Sequence, residues 1–206
     1  MPRNNGDMER RTYDITDIEV ITRDDTPDKI VGHAAVFNTI GDGGWFREQV
    51  APGAFARSIN DDDVRALFNH DKNFVLGRNK AGTLEMSEDE QGLLVSITPP
   101  DTQLARDLRV SISRGDISGM SIGFEIIKES REAGEDGELD LFTLEEVKLW
   151  DVSPVTFPFY KETDVSMRSR EAWREEVNQQ RQEPTRPNMM GKRLQLLKRE
   201  FEARRN

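Results

Sequence analysis

The stretch 114–124 (RGDISGMSIGF) constrains this chain more than any other. It closes a helical pattern, turns through two glycines and runs into alternating apolar residues. Gly115 and Gly119 read as turn or cap positions, where positive φ is cheap only for glycine. Met120, Ile122 and Phe124 fall on one face of a predicted strand, with Ser121 and Gly123 on the other. A hydroxyl among small neighbours thus stands on a strand whose opposite face is anchored in the core. A serine nucleophile needs such a rigid backbone, open space above Oγ and nearby N–H donors. A structural serine fits as well, because turns favour both residue types.

The rest of the body is written mostly in the period of strands. Tyr13 to Thr22 alternates with one irregularity, and Lys29 to Phe37 (KIVGHAAVF) reads as its hairpin partner across the turn at Pro27. Residues 38–49 read as a glycine-rich loop with Trp45 and Phe46 as apolar anchors, and residues 52–59 as a short helix with Phe55 and Ile59 at i, i+4. Val64 to Phe68 is a predicted strand ending at Asn69-His70-Asp71, and 82–86 with 92–97 form a second hairpin-like pair. Asp101 or Thr102 caps a predicted helix to Arg114, with Leu104, Leu108 and Ile112 as its apolar stripe. The serine strand follows and runs through Ile127. A charged turn over 129–140 leads to a last strand from Leu141 through Phe157. Many short strands and one convincing helix predict a mainly β chain with helices, α+β in class, built as an antiparallel barrel or sandwich.

Beyond Tyr160 the composition changes. Residues 161–206 carry 12 Lys/Arg against 8 Asp/Glu, +4, and 1–160 carry 17 against 31, −14. The expected organisation is a flexible arm (1–12), a folded body (13–160), a linker (161–190) and an amphipathic helical tail (191–206) with Leu194, Leu197 and Phe201 on one side. An acidic body argues against nucleic acid as a partner. No apolar run approaches a membrane span, so no membrane partner is expected. With no cysteine, disulfides and thiolate chemistry are excluded. The run Asp61-Asp62-Asp63 reads as a solvated turn, and two histidines 37 positions apart make no metal motif, so neither metal nor cofactor is expected.

Only His33 and His70 can serve as an imidazole base. His33 lies within an apolar strand and reads as packed and hydrogen-bonded. His70 ends a strand, where a side chain can project into a cleft or simply occupy a loop. A third group is required to orient the ring. Asp151, set in apolar LWDVSPV, needs a partner because buried carboxylates are rare unless paired. That partner can be a histidine or the backbone, and Glu145 and Glu146 are alternatives for the role.

The succession VGHAAVFN, LFNHD, RGDISGMSIGF and LWDVSPVTFPFY resembles the prohead (capsid maturation) serine proteases of tailed bacteriophages, over about residues 12–163. Those enzymes are grouped with the herpesvirus assemblins, which implies a β-barrel core ringed by helices. The resemblance implies Ser121 as nucleophile, preferred over Ser118 because the family's serine follows Gly-Met, and His70 as general base. It implies an acid, Asp151, as third member, and assigns no oxyanion donors. It further implies cleavage of the major capsid protein's scaffold segment, self-cleavage of the tail, a homodimer, and action inside the immature capsid in the host cytoplasm. A non-catalytic capsid-assembly module of the same fold is the alternative.

Overall fold

Period-2 alternation produces strands over most of the body, and the 3.6-period stretch before Arg114 produces the longer of the two α-helices among the described residues. The computed structural model describes residues 8–13, 17–23, 26–42, 46–134 and 138–157, all within a unit spanning 1–161. In chain order they form β1 (Glu9–Tyr13), β2 (Glu19–Arg23), β3 (Thr26–Val36), β4 (Gly41–Asp42), β5 (Arg47–Val50), α1 (Ala56–Asp61), β6 (Arg65–Phe68), β7 (Asp71–Arg78), β8 (Leu84–Glu88), β9 (Gly92–Ile97), α2 (Gln103–Ser113), β10 (Gly119–Glu132) and β11 (Leu141–Val155). The expected linker (161–190) and amphipathic tail (191–206) lie outside the described residues.

Two sheets result. The larger runs β1-β10-β11-β5-β4, with β6 paired to β11 and β7 to β6; the smaller runs β2-β3-β9-β8. The chain is therefore mostly β with few helices, as the patterning predicts. No closed barrel is found: among the described residues no ladder closes the sheets on each other, and the expected antiparallel pairing is broken where β11 runs parallel to both β5 and β6. The length of β11 is the reason. Its 15 residues let β5 pair with 141–144 and β6 with 151–152, so the sheet branches instead of closing. The two sheets share one apolar core, to which the smaller contributes Ile30, Leu93, Val95 and Ile97, and the larger Ile122, Phe124, Leu149 and Val152.

Several local expectations change. The predicted arm ends inside β1, because residues 9–13 pair along β10 and gain backbone hydrogen bonds there. The single strand expected from Tyr13 to Thr22 is divided between the two sheets, as β1 and β2. The glycine-rich loop contains β4 and β5, and β7 went unpredicted because its residues alternate poorly, exposing Phe74 and Val75 together. Gly115 takes the expected left-handed conformation past α2 (φ 78°), whereas Gly119 simply begins β10. Thr102 caps α2, its hydroxyl accepting from the Ala105 N–H.

His33, on β3, is buried and bridges two carboxylates, Asp17 at Nδ1 and Asp89 at Nε2 (2.9 Å). Burial works against the ring's charge, but hydrogen bonds and charge from Asp17 and Asp89 outweigh it and hold the pKa above its ordinary value. The folded chain thus binds this proton more tightly than the unfolded one. The stabilisation is complete below about pH 6.5 and is lost as pH rises through the folded-state value. Thermal melts are expected to show a Tm that falls as pH is raised above about 6.5, and His33→Gln should flatten that limb of the profile.

Candidate active site

Three strands of the larger sheet deliver three side chains to one place. β10 and β11 are antiparallel neighbours with Ser121 opposite Ser153 and Gly123 opposite Asp151. Directly paired residues share a face, and alternate residues on one strand do too. Ser121, Gly123, Ser153 and Asp151 therefore lie together on one face, while Met120, Ile122 and Val152 point into the core.

The pairing carries a shift that matters here. Phe124 is opposite Leu149 and Gly123 opposite Asp151, so Trp150 is an extra residue in β11. Simple alternation would put Asp151 on the same face as Leu149. The bulge inverts this, leaving Leu149 in the core and turning Asp151 to the hydroxyl face.

β6 lies beside the same part of β11, with Arg65 and Ala66 opposite Asp151 and Val152. The hairpin to β7 then turns on two residues, Asn69 (φ 52°) and His70 (φ 57°). Two left-handed residues are the signature of a type I′ turn, where Asn is common and Gly is preferred second. A histidine there costs on the order of 1–3 kcal/mol and persists only if its surroundings impose it. They do so through Asn69. Its backbone N–H donates to the Pro154 carbonyl (3.0 Å), its amide to Thr156 Oγ1 (3.0 Å), and its Oδ1 accepts from the Thr156 N–H (2.9 Å).

The turn aims the ring of His70 between the other two groups. Nε2 lies 2.7 Å from Ser121 Oγ and Nδ1 lies 2.6 Å from Asp151 Oδ1. Ser153 Oγ also donates to Asp151 Oδ1, at 2.6 Å. All of this is buried: the side chains of His70 and Asp151 are 9% and 6% exposed, and Ser121 and Ser153 are wholly enclosed. In such a medium each charge-assisted contact is stronger than in water. Glu145 and Glu146 lie elsewhere, the first paired with Lys128 (2.7 Å) and the second with Arg57 (2.7 Å). Asp62 and Asp63 of the acidic run pair with Arg57 and Arg78, and no cluster of the described residues could hold a metal ion. No helix among them is long and apolar enough to cross a membrane.

Four contributors escaped the sequence reading or were undervalued by it. Ser153 was detectable, since it stands two residues from Asp151 and so shares its face. Thr12 and the Arg11 carbonyl, both in contact with Ser121 Oγ, lay in the segment read as a loose arm. Gly123 was noted only as a small neighbour. A Cβ built there would lie 2.3 Å from Asp151 Oδ2, so its hydrogen is what makes room for the carboxylate. Gly123→Ala is therefore expected to push Asp151 off the His70 ring, a displacement that a structure of the variant would show.

A buried serine hydroxyl, a histidine joined to it by one nitrogen, and a carboxylate on the other nitrogen are the constellation of serine hydrolases. The chain belongs to the caudovirus prohead serine protease family, whose model matches residues 14–178. It is similar to the prohead protease of Enterobacteria phage HK97, with 34% identity over 122 residues, 57% of this chain and 51% of that protein. The chain thus spans about half the length of that curated relative. No solved structure matches it.

Proposed function

We propose that Ser121, His70 and Asp151 are the nucleophile, general base and orienting acid of a serine endopeptidase acting in prohead maturation. The observation that carries this reading is the unbroken path from Ser121 Oγ through both nitrogens of one imidazole to a buried carboxylate. In the neutral ring the proton stays on Nδ1 and is donated in a hydrogen bond to Asp151, leaving Nε2 as acceptor for the serine proton. As Oγ attacks a peptide carbonyl, His70 takes that proton and becomes an imidazolium stabilised by Asp151. It then protonates the leaving amine, and water, activated by the same ring, releases the acyl group.

The substrates in this reading are the scaffold or N-terminal segment of the major capsid protein and the chain's own basic tail, cleaved inside the immature capsid by a homodimer. Co-expression with the capsid protein, followed by mass spectrometry, tests it. Shortened capsid protein and a shortened tail are expected with the wild type, and full-length masses with Ser121→Ala. Capsid protein processed equally by both forms would refute the reading and favour a non-catalytic capsid-assembly module.

A further inference from the structure

Ser121 is fully enclosed, and its cover is the chain's own first strand. β1 pairs antiparallel with β10 so that Thr12 lies opposite Ser121 and Arg11 opposite Ile122. Thr12 Oγ1 is 3.1 Å from Ser121 Oγ, and Ser121 Oγ donates to the Arg11 carbonyl oxygen at 2.9 Å. A hydroxyl has one proton. The Arg11 carbonyl therefore competes for it with His70 Nε2, 2.7 Å away. β1 thus puts a backbone carbonyl against Ser121 and offers its proton an acceptor besides the ring.

An extended segment along a sheet edge, with one carbonyl against the serine, is how a peptide substrate would lie by strand addition. Resting on the catalytic reading above, we propose that the β10 edge is the substrate-docking edge. It takes an extended peptide with arginine or lysine where Arg11 lies, and residues 9–13 occupy that place until displaced.

The side chain of Arg11 supplies the specificity. Its guanidinium forks onto Glu48 of β5, Nε to Oε1 at 2.5 Å and Nη2 to Oε2 at 3.0 Å, and stands 5.5 Å from the centre of the Phe124 ring. Glu48 is buried. Burial works against the guanidinium's charge, but Glu48 and Glu9 outweigh it and raise its pKa. Glu9 leaves with β1, whereas Glu48 and Phe124 stay with the body. Carboxylate fork and aromatic face together fit a basic side chain next to the bond that Ser121 would attack. The occupant is suited to leave: β1 has five residues and, among the described strands, pairs with β10 alone, at the end of the sheet order.

The test compares Ser121 labelling by a fluorophosphonate probe in the full chain and in a protein starting at residue 14. Removing the resident strand should raise the labelling rate by about tenfold or more, because a site rarely open reacts in proportion to its open fraction. A synthetic peptide of residues 8–13 should slow the shortened protein again, and the same peptide with Arg11→Glu should not. In a peptide library the shortened protein should cut after Arg or Lys, and Glu48→Gln should weaken that preference. Equal labelling rates in the two folded forms, or cleavage indifferent to basic residues, would overturn the proposal. Should circular dichroism show the shortened protein unfolded, full-length Arg11→Ala replaces it: faster labelling supports the proposal and an unchanged rate overturns it. No labelling of any folded form would remove the catalytic reading and this proposal with it, whereas equal rates remove only the latter.

Discussion

Ser121→Ala is expected to lower kcat by about 10⁴–10⁶-fold, His70→Ala by a similar factor, and the double variant by little more than either. The near-identity of the three losses is the informative part. Serine and imidazole are 2.7 Å apart and share one proton, so removing either leaves the other with no chemistry to perform. Single-turnover hydrolysis of a peptide substrate, with circular dichroism to check folding, measures all three. Losses that multiplied in the double variant would mean two groups working separately, and the proposed relay would fail.

Asp151→Asn should cost about 10⁴-fold in kcat while leaving the fold and KM nearly as they are. Asp151 Oδ1 accepts from both His70 Nδ1 and Ser153 Oγ. An amide keeps the shape but can offer a donor to Nδ1, which places the ring's proton on Nε2, where it blocks acceptance from Ser121. The ring would be in place and in the wrong tautomer. Asp151→Ala is predicted to behave differently. It leaves the buried ring and the Ser153 hydroxyl without their acceptor, and each orphaned group costs roughly 1–3 kcal/mol. Melts of the two variants separate these effects: Asn should retain the wild-type Tm more closely than Ala.

How far the sequence anticipated this arrangement depended on whether a residue's direction could be read from spacing alone. Ser121 and Gly123 could be assigned to one face because β10 alternates regularly from Gly119 to Phe124. Asp151 could be singled out as an acid in apolar surroundings, but not aimed. Plain alternation from Val147 puts it with Leu149, and the bulge at Trp150 turns it over. His70 was marked by ending a strand; the left-handed pair Asn69-His70 that orients it leaves no trace in a hydrophobic pattern. The segment Glu9–Tyr13 was hidden for a related reason. Its polar composition matched a loose terminus, and its strand conformation comes from β10 lending it hydrogen-bond partners. Barrel closure could not be read from the pattern either, because it depends on which edges meet, and β11 offers its edge to two parallel neighbours.

The central place of β11 also sets a timetable. It is the last described strand in chain order, yet it is the one that β10 and β6 both lean on where the hydroxyl and the imidazole stand. A nascent chain that stops short of residue 155 lacks the carboxylate, the seat of the Asn69 turn, or both. On the proposed reading, the site is therefore complete only once nearly all of the body has been synthesised.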